Sequence, residues 1–286
     1  MNKIQMIKNR ETNFVFHMLS VARCGYDNAY GHKHRQAYPA QVLAMLKRHE
    51  RLITVTGGEH CGALHGLLVG EPAKGKMRAK AFYQEIVRQA DAGEAPEYYV
   101  ENGLVAPARE IAAAMADCYD HYVEQVWPED EQAIQAHIDA TMPVFEQSGF
   151  TDRAEEAVGC TLPVERFCAT MVASVEKGPE GIDISEDQDV FGIARDPETA
   201  LFFIGHEFII YLLKHALREE DAFQSFDTWM LTEGLAEYYL KRVLGETRLF
   251  NRQQQVVTFL EAIPGHEGLT APELYRACYA AFVRKS

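Results

Sequence analysis

Four side chains in two neighbouring stretches have the types and spacing to hold a divalent metal ion. His206 and Glu207 stand in Phe202-Phe203-Ile204-Gly205-His206-Glu207-Phe208-Ile209-Ile210. Glu233 and Glu237 stand further on, in Trp229-Met230-Leu231-Thr232-Glu233-Gly234-Leu235-Ala236-Glu237-Tyr238. Carboxylates four apart on a helix share one face. A His and a Glu can ligate a divalent ion, and a further carboxylate can orient the His through its other ring nitrogen. Glu233 suits the ligand place and Glu237 the orienting one. The plain structural alternative is a hydrogen-bonded core His with a paired Glu, because a charge in an apolar element is costly without a partner.

Two helices must position these groups. Asp196 can cap the first, Pro197 suits its first position, and Glu198 complements the helix dipole. Leu201, Phe202, Phe203, Ile204, Phe208, Ile209, Ile210, Leu212 and Leu213 are apolar on every side, the pattern of a helix buried all round. Asp227 or Thr228 can cap the second helix and Gly245 can end it. Gly234 and Ala236 are small enough to admit another helix at close range.

The two stretches resemble the gluzincin metallopeptidases, the thermolysin-like group with His-Glu-x-x-His on one helix and a Glu ligand on the next. The resemblance covers residues from about 160 to 245 and rests on the Glu-Gly-Leu-Ala-Glu-Tyr run as well as the His-Glu pair. It implies a zincin-like fold, zinc ligation by His206 and Glu233, and Glu207 as the base that takes a proton from a metal-bound water. It also implies peptide-bond hydrolysis as the activity and a peptide or protein as the substrate.

Ile210 is the departure. The family has its second His there, one helical turn after the first, where both rings face the same ion. Isoleucine cannot ligate. His215 lies about half a turn round the axis at ~100° per residue. Tyr211 is nearer in angle but is a poor zinc ligand while protonated. A catalytic zinc normally takes three protein ligands and a water, so zinc is expected to be weakened or lost. Two readings stay open: a metallopeptidase that still binds its ion, and a non-catalytic pseudopeptidase whose scaffold binds a peptide or protein. His266, Tyr275 and Tyr279 are candidate oxyanion stabilisers on the resemblance.

The rest of the sequence narrows the partners. The chain has 286 residues, with 42 acidic against 28 basic ones and a net charge of −14, which argues against nucleic acid and an anionic membrane surface. No stretch approaches the ~20 apolar residues of a membrane span, and the first residues carry no clean signal peptide. A cytoplasmic location is expected. The cysteines are scattered with no Cys-x-x-Cys pair, as free thiols are.

Along the chain, helices are predicted over 12–24, 38–50, 78–91 and 107–127, with a break at Trp127-Pro128 and a further helix ending near Thr141, before Pro143. Arg51 to Thr56 reads as a short strand. His32 and His34 flank Lys33 in a polar loop and read as solvated; His60 and His65 lie near Cys61 without a recognisable ligand spacing. Gly70 to Lys76 satisfies Gly-x-x-x-x-Gly-Lys, but Met77 replaces the magnesium-binding hydroxyl, so nucleotide binding there is a remote alternative to a plain loop. Residues 165–176 alternate as a half-buried strand does, and two short apolar pieces follow, Ile182 to Ser185 and Val190 to Ile193. In gluzincins a sheet precedes the metal helix and its edge strand pairs with extended peptide. The expected fold is α+β, mainly α: a helical N-terminal region over 1–150, then a gluzincin-like domain over 151–286 with a small antiparallel sheet before the metal helix.

Overall fold

A computed structural model describes residues 2–56, 60–66, 68, 72, 77–176, 180–185, 187–247 and 253–283. The fold is mainly helical with a small four-stranded sheet. The helices are α1 (Arg10–Ala22), α2 (Ala29–His34), α3 (Ala40–Arg48), α4 (Glu50–Ile53), α5 (Ala79–Ala92), α6 (Glu97–Glu101), α7 (Val105–His121), α8 (Trp127–Ser148), α9 (Phe150–Val158), α10 (Pro197–Ala216), α11 (Phe226–Leu244), α12 (Gln254–Glu261) and α13 (Ala271–Phe282). The strands are β1 (Ile4–Lys8), β2 (Val55–Thr56), β3 (His60–Cys61), β4 (Phe167–Val172), β5 (Ile182–Ser185) and β6 (Gln188–Gly192). No helix among the described residues is long and apolar enough to cross a membrane.

The chain divides into two compact units, each discontinuous in sequence. The N-terminal unit holds Ile7–Ile138 and Thr170–Arg195; the site unit holds Met1–Met6, Asp139–Ala169 and Asp196–Ser286. The boundary falls inside β1, β4 and α8.

The four-stranded sheet has the order β1-β4-β6-β5. β5 and β6 form an antiparallel hairpin, with Ile182 opposite Val190. The other pairs correct the expectation of an antiparallel sheet. Phe167 N–H donates to the Lys3 carbonyl at the starts of β1 and β4, and Ile193 N–H donates to the Val172 carbonyl at the ends of β4 and β6. Starts meeting starts and ends meeting ends is the parallel arrangement, and the long helical connection between β1 and β4 permits it. β4 is also more buried than a half-buried strand, with five of its six residues in the interior, because it lies between two neighbours.

In the N-terminal unit the core forms around α1, whose residues from Glu11 to Ala22 are all buried. Phe14 packs its ring edge-on to Tyr119 at 5.1 Å and against Tyr122 at 5.5 Å. The predicted break at Trp127-Pro128 does not occur. A π-helical turn, Tyr122–Val126, joins α7 to α8, so the helical path continues. Its wider hydrogen-bond register absorbs the donor that Pro128 lacks. α8 also runs through Pro143 to Ser148, past the expected end. The loop expected at His32 to His34 is the helix α2. His32 is exposed and pairs with Asp27, but the His34 ring packs 4.7 Å from the Tyr30 ring and 5.5 Å from the His17 ring.

Candidate functional site

The site unit is built on α10 and α11. Asp196 Oδ1 accepts from Thr199 N–H at 2.9 Å and starts α10, as its sequence requires. The cap of α11 is Ser225, not Asp227 or Thr228: its Oγ accepts from Thr228 N–H, and the Thr228 hydroxyl accepts from Ser225 N–H. The reciprocal pair satisfies two donors at once, which a single cap does not. Gly245 ends α11 in the left-handed conformation, φ 86°.

Packing then aims the helices. Phe208 sits between Phe150 of α9 and Phe167 of β4, ring centroids 5.9 and 6.0 Å away. Gly205 lies against Phe150, where an added Cβ would come within 2.8 Å of its Cζ. Gly234 lies against Val256 of α12, where an added Cβ would come within 2.5 Å. The small residue at 234 therefore serves α12.

The four named groups meet as follows. His206 is buried, its side chain 7% exposed. Its Nε2 lies 2.9 Å from Glu233 Oε2 in a well-formed hydrogen bond. Its Nδ1 lies 2.9 Å from Oε1 of Glu237, whose side chain is 2% exposed. That second contact is an ion pair with poor angular geometry, so neither Glu237 oxygen receives a well-directed hydrogen bond. Glu207 is half-buried and Ile210 fully buried, one turn after His206. The fold brings His206, Glu233 and Glu237 together, with Glu233 on one ring nitrogen and Glu237 on the other.

The electrostatics follow from this sandwich. Burial lowers the affinity of the His206 ring for a second proton. The charge and hydrogen bond of Glu233, the contact of Glu237 and the charge of Glu207 outweigh it, so the His206 pKa stands well above the ordinary histidine value. The pair favours the protonated ring, and a proton on Nε2 lies on the line to Glu233.

The residues present do not fit a catalytic zinc. Glu233 and Glu237 contact opposite nitrogens of one ring and cannot converge on one ion. On the Nε2 side the ring meets Glu233, and the third place in the helical register is the hydrocarbon of Ile210. Among the described residues no group of three His, Cys, Asp or Glu side chains is arranged to hold a metal. A catalytic zinc takes three protein ligands.

The remaining candidates make these contacts. His266 Nδ1 is 2.6 Å from the hydroxyl of Tyr238, and the Arg242 guanidinium lies over the Tyr238 and Tyr239 rings. The Tyr275 and Tyr279 rings pack on each other at 6.2 Å. Tyr211 packs edge-on to His215 at 5.0 Å. In the N-terminal unit, His65 Nδ1 is bonded to the Ile53 carbonyl at 3.0 Å. The side chains of His60 and Cys61, and the Gly70–Lys76 loop apart from Pro72, lie outside the described residues. Sequence reasoning missed Gly205 and Phe150, since nothing in a lone Gly before His206 says which ring it meets.

Compared with protein-family models, curated proteins and solved structures, the chain matches none.

Proposed function

We propose that the chain is a zincin-like protein of gluzincin descent that has exchanged its metal for a proton. In this reading it acts as a non-catalytic module that binds a peptide or protein. The observation that carries the proposal is the direct His206–Glu233 hydrogen bond at 2.9 Å with Ile210 buried at the absent ligand's place. A proton on Nε2 does what the ion would do for Glu233: it neutralises one carboxylate inside an apolar helix pair. The order of elements supports the same reading, since β4, β5 and β6 precede α10 and β5 is a sheet edge. Zincin-like architecture, cytoplasmic location and a polypeptide partner all belong to this proposal.

A second reading keeps the ion. Two carboxyl groups crowd one imidazole ring in the interior, and a divalent ion would offset the charge they carry when ionised. That reading is a working metallopeptidase with Glu207 as base. Elemental analysis of the purified full chain separates the two, together with hydrolysis of a denatured protein substrate by the wild type and Glu207→Gln. The non-catalytic reading expects well under one zinc per chain and no hydrolysis by either protein. One zinc per chain with hydrolysis lost in Glu207→Gln would overturn it.

A further inference from the structure

Away from α10 and α11, the N-terminal unit buries a second set of titratable groups whose hydrogen bonds form a continuous line. His17 on α1 is fully buried. Its Nδ1 is 2.7 Å from the Tyr30 hydroxyl and its Nε2 is 2.8 Å from the Tyr38 hydroxyl. The Tyr30 hydroxyl is also 2.6 Å from Asp130 Oδ2, on the first turn of α8 and 5% exposed. Tyr122, in the π-helical turn, reaches the same oxygen at 3.3 Å. π-helical turns recur at functional sites.

Proton counting fixes the direction of this line. An ionised carboxylate only accepts, so Tyr30 gives its single proton to Asp130. Tyr30 must then accept from His17, which places a proton on Nδ1. His17 is neutral: burial, and then the charges of His34 and His121, hold its pKa well below the ordinary value. Its Nε2 is therefore bare and accepts from Tyr38. At neutral pH every bond points from Tyr38 towards Asp130.

We propose that Tyr38, His17, Tyr30 and Asp130 are a proton relay that carries a proton from Tyr38, a buried residue on the wall of a groove, to Asp130 and switches the His17 tautomer as it does so. The step balances without any other reactant than a solvent proton. The Tyr38 proton passes to Nε2, the Nδ1 proton to the Tyr30 oxygen, and the Tyr30 proton to Asp130 Oδ2. A solvent proton restores the Tyr38 hydroxyl. Afterwards each bond points the other way, and Tyr38 has its proton free to donate elsewhere. Tyr38 lines a groove with Arg35, Gln36, Leu43 and Lys47, so the relay ends at a residue of the groove wall.

The groups around Asp130 suit the task. Burial raises its pKa to about 6, opposed by the Tyr30 and Tyr122 hydrogen bonds and helped by the charge of Glu129; Lys33, which pairs with Glu129 at 2.6 Å, works the other way. The relay is thus set to turn over just below neutral pH.

The test is nitrogen-15 NMR of the His17 ring in the full labelled chain between pH 8 and pH 5. The expected result is an N–H-type Nδ1 and a bare Nε2 at pH 8, with the two signatures exchanged as the pH falls through about 6. In Tyr30→Phe, which keeps the ring and removes the linking hydroxyl, the exchange at that pH should vanish. A protonated Nε2 at pH 8, a doubly protonated ring at pH 5, or no change in the wild type would each overturn the relay. So would an exchange that survives in Tyr30→Phe. The wild-type measurement decides even where the variant does not fold.

Discussion

Ile210→His puts an imidazole one turn after His206 on the same face of α10. The variant's cost follows from burial. Ile210 is 5% exposed, so removing it forfeits roughly 1.5–3 kcal/mol of apolar burial. The new ring, without a partner, adds about 1–3 kcal/mol. The metal-free variant should stand about 4 kcal/mol below the wild type. Zinc then has His206, the introduced imidazole and Glu233, the three ligands an open tetrahedral site requires. At a free concentration of ~100 Kd, zinc should return about 2.7 kcal/mol. Because the ion must displace the His206 proton, binding should release protons and weaken as the pH falls. Urea unfolding with and without zinc reads the stability, and calorimetry in two buffers of different ionisation heat reads the proton count. If Ile210→His folds but gains no zinc affinity over the wild type, His206 and Glu233 do not flank a former metal position, and the proposed descent is wrong.

Further outcomes can be checked separately. His206 has a raised folded pKa, so its contribution to stability is complete below the unfolded value of ~6.5 and is lost as pH rises through the higher folded value. Wild-type unfolding free energy should therefore fall on the alkaline side, and Glu233→Gln should reduce that slope. Asp130 is raised from 3.8 to about 6, so its contribution is present below pH ~4 and lost as pH rises to about 6. Across that window it amounts to roughly 3 kcal/mol at ~1.4 per pH unit, and Asp130→Asn should flatten it in urea titrations at stepped pH. Gly234→Ala should destabilise by about 1–3 kcal/mol, because the clash with Val256 at 2.5 Å exceeds the gain in helix propensity. Asp196→Ala should cost about 1 kcal/mol through loss of the α10 cap, read as a lowered urea midpoint.

Local signals in the chain were enough for the helices of the site and for the grouping of its charges. Asp196-Pro197 and Gly245 mark helix ends through backbone chemistry that acts within a few residues. The i, i+4 spacing of Glu233 and Glu237 sets a shared face whatever the surroundings. Ile210 was legible as the residue one turn after His206 because helical register alone puts it there.

The rest depended on contacts that no local pattern encodes. Whether β4 runs with β1 is a matter of how a long connection closes, which sequence alternation does not report. Pro128 and Pro143 reside within helical structure because the π turn and the packing of α8 override a local preference. His34 is half-buried because α2 forms and presents it to Tyr30 and His17. Glu233 and Glu237 share a face by spacing, but only the approach of α10 decides that they take opposite nitrogens of one ring. That approach is set by Phe208 between Phe150 and Phe167, and it leaves the His206 ring between two carboxyl groups, since side-chain chemistry is local but convergence is tertiary.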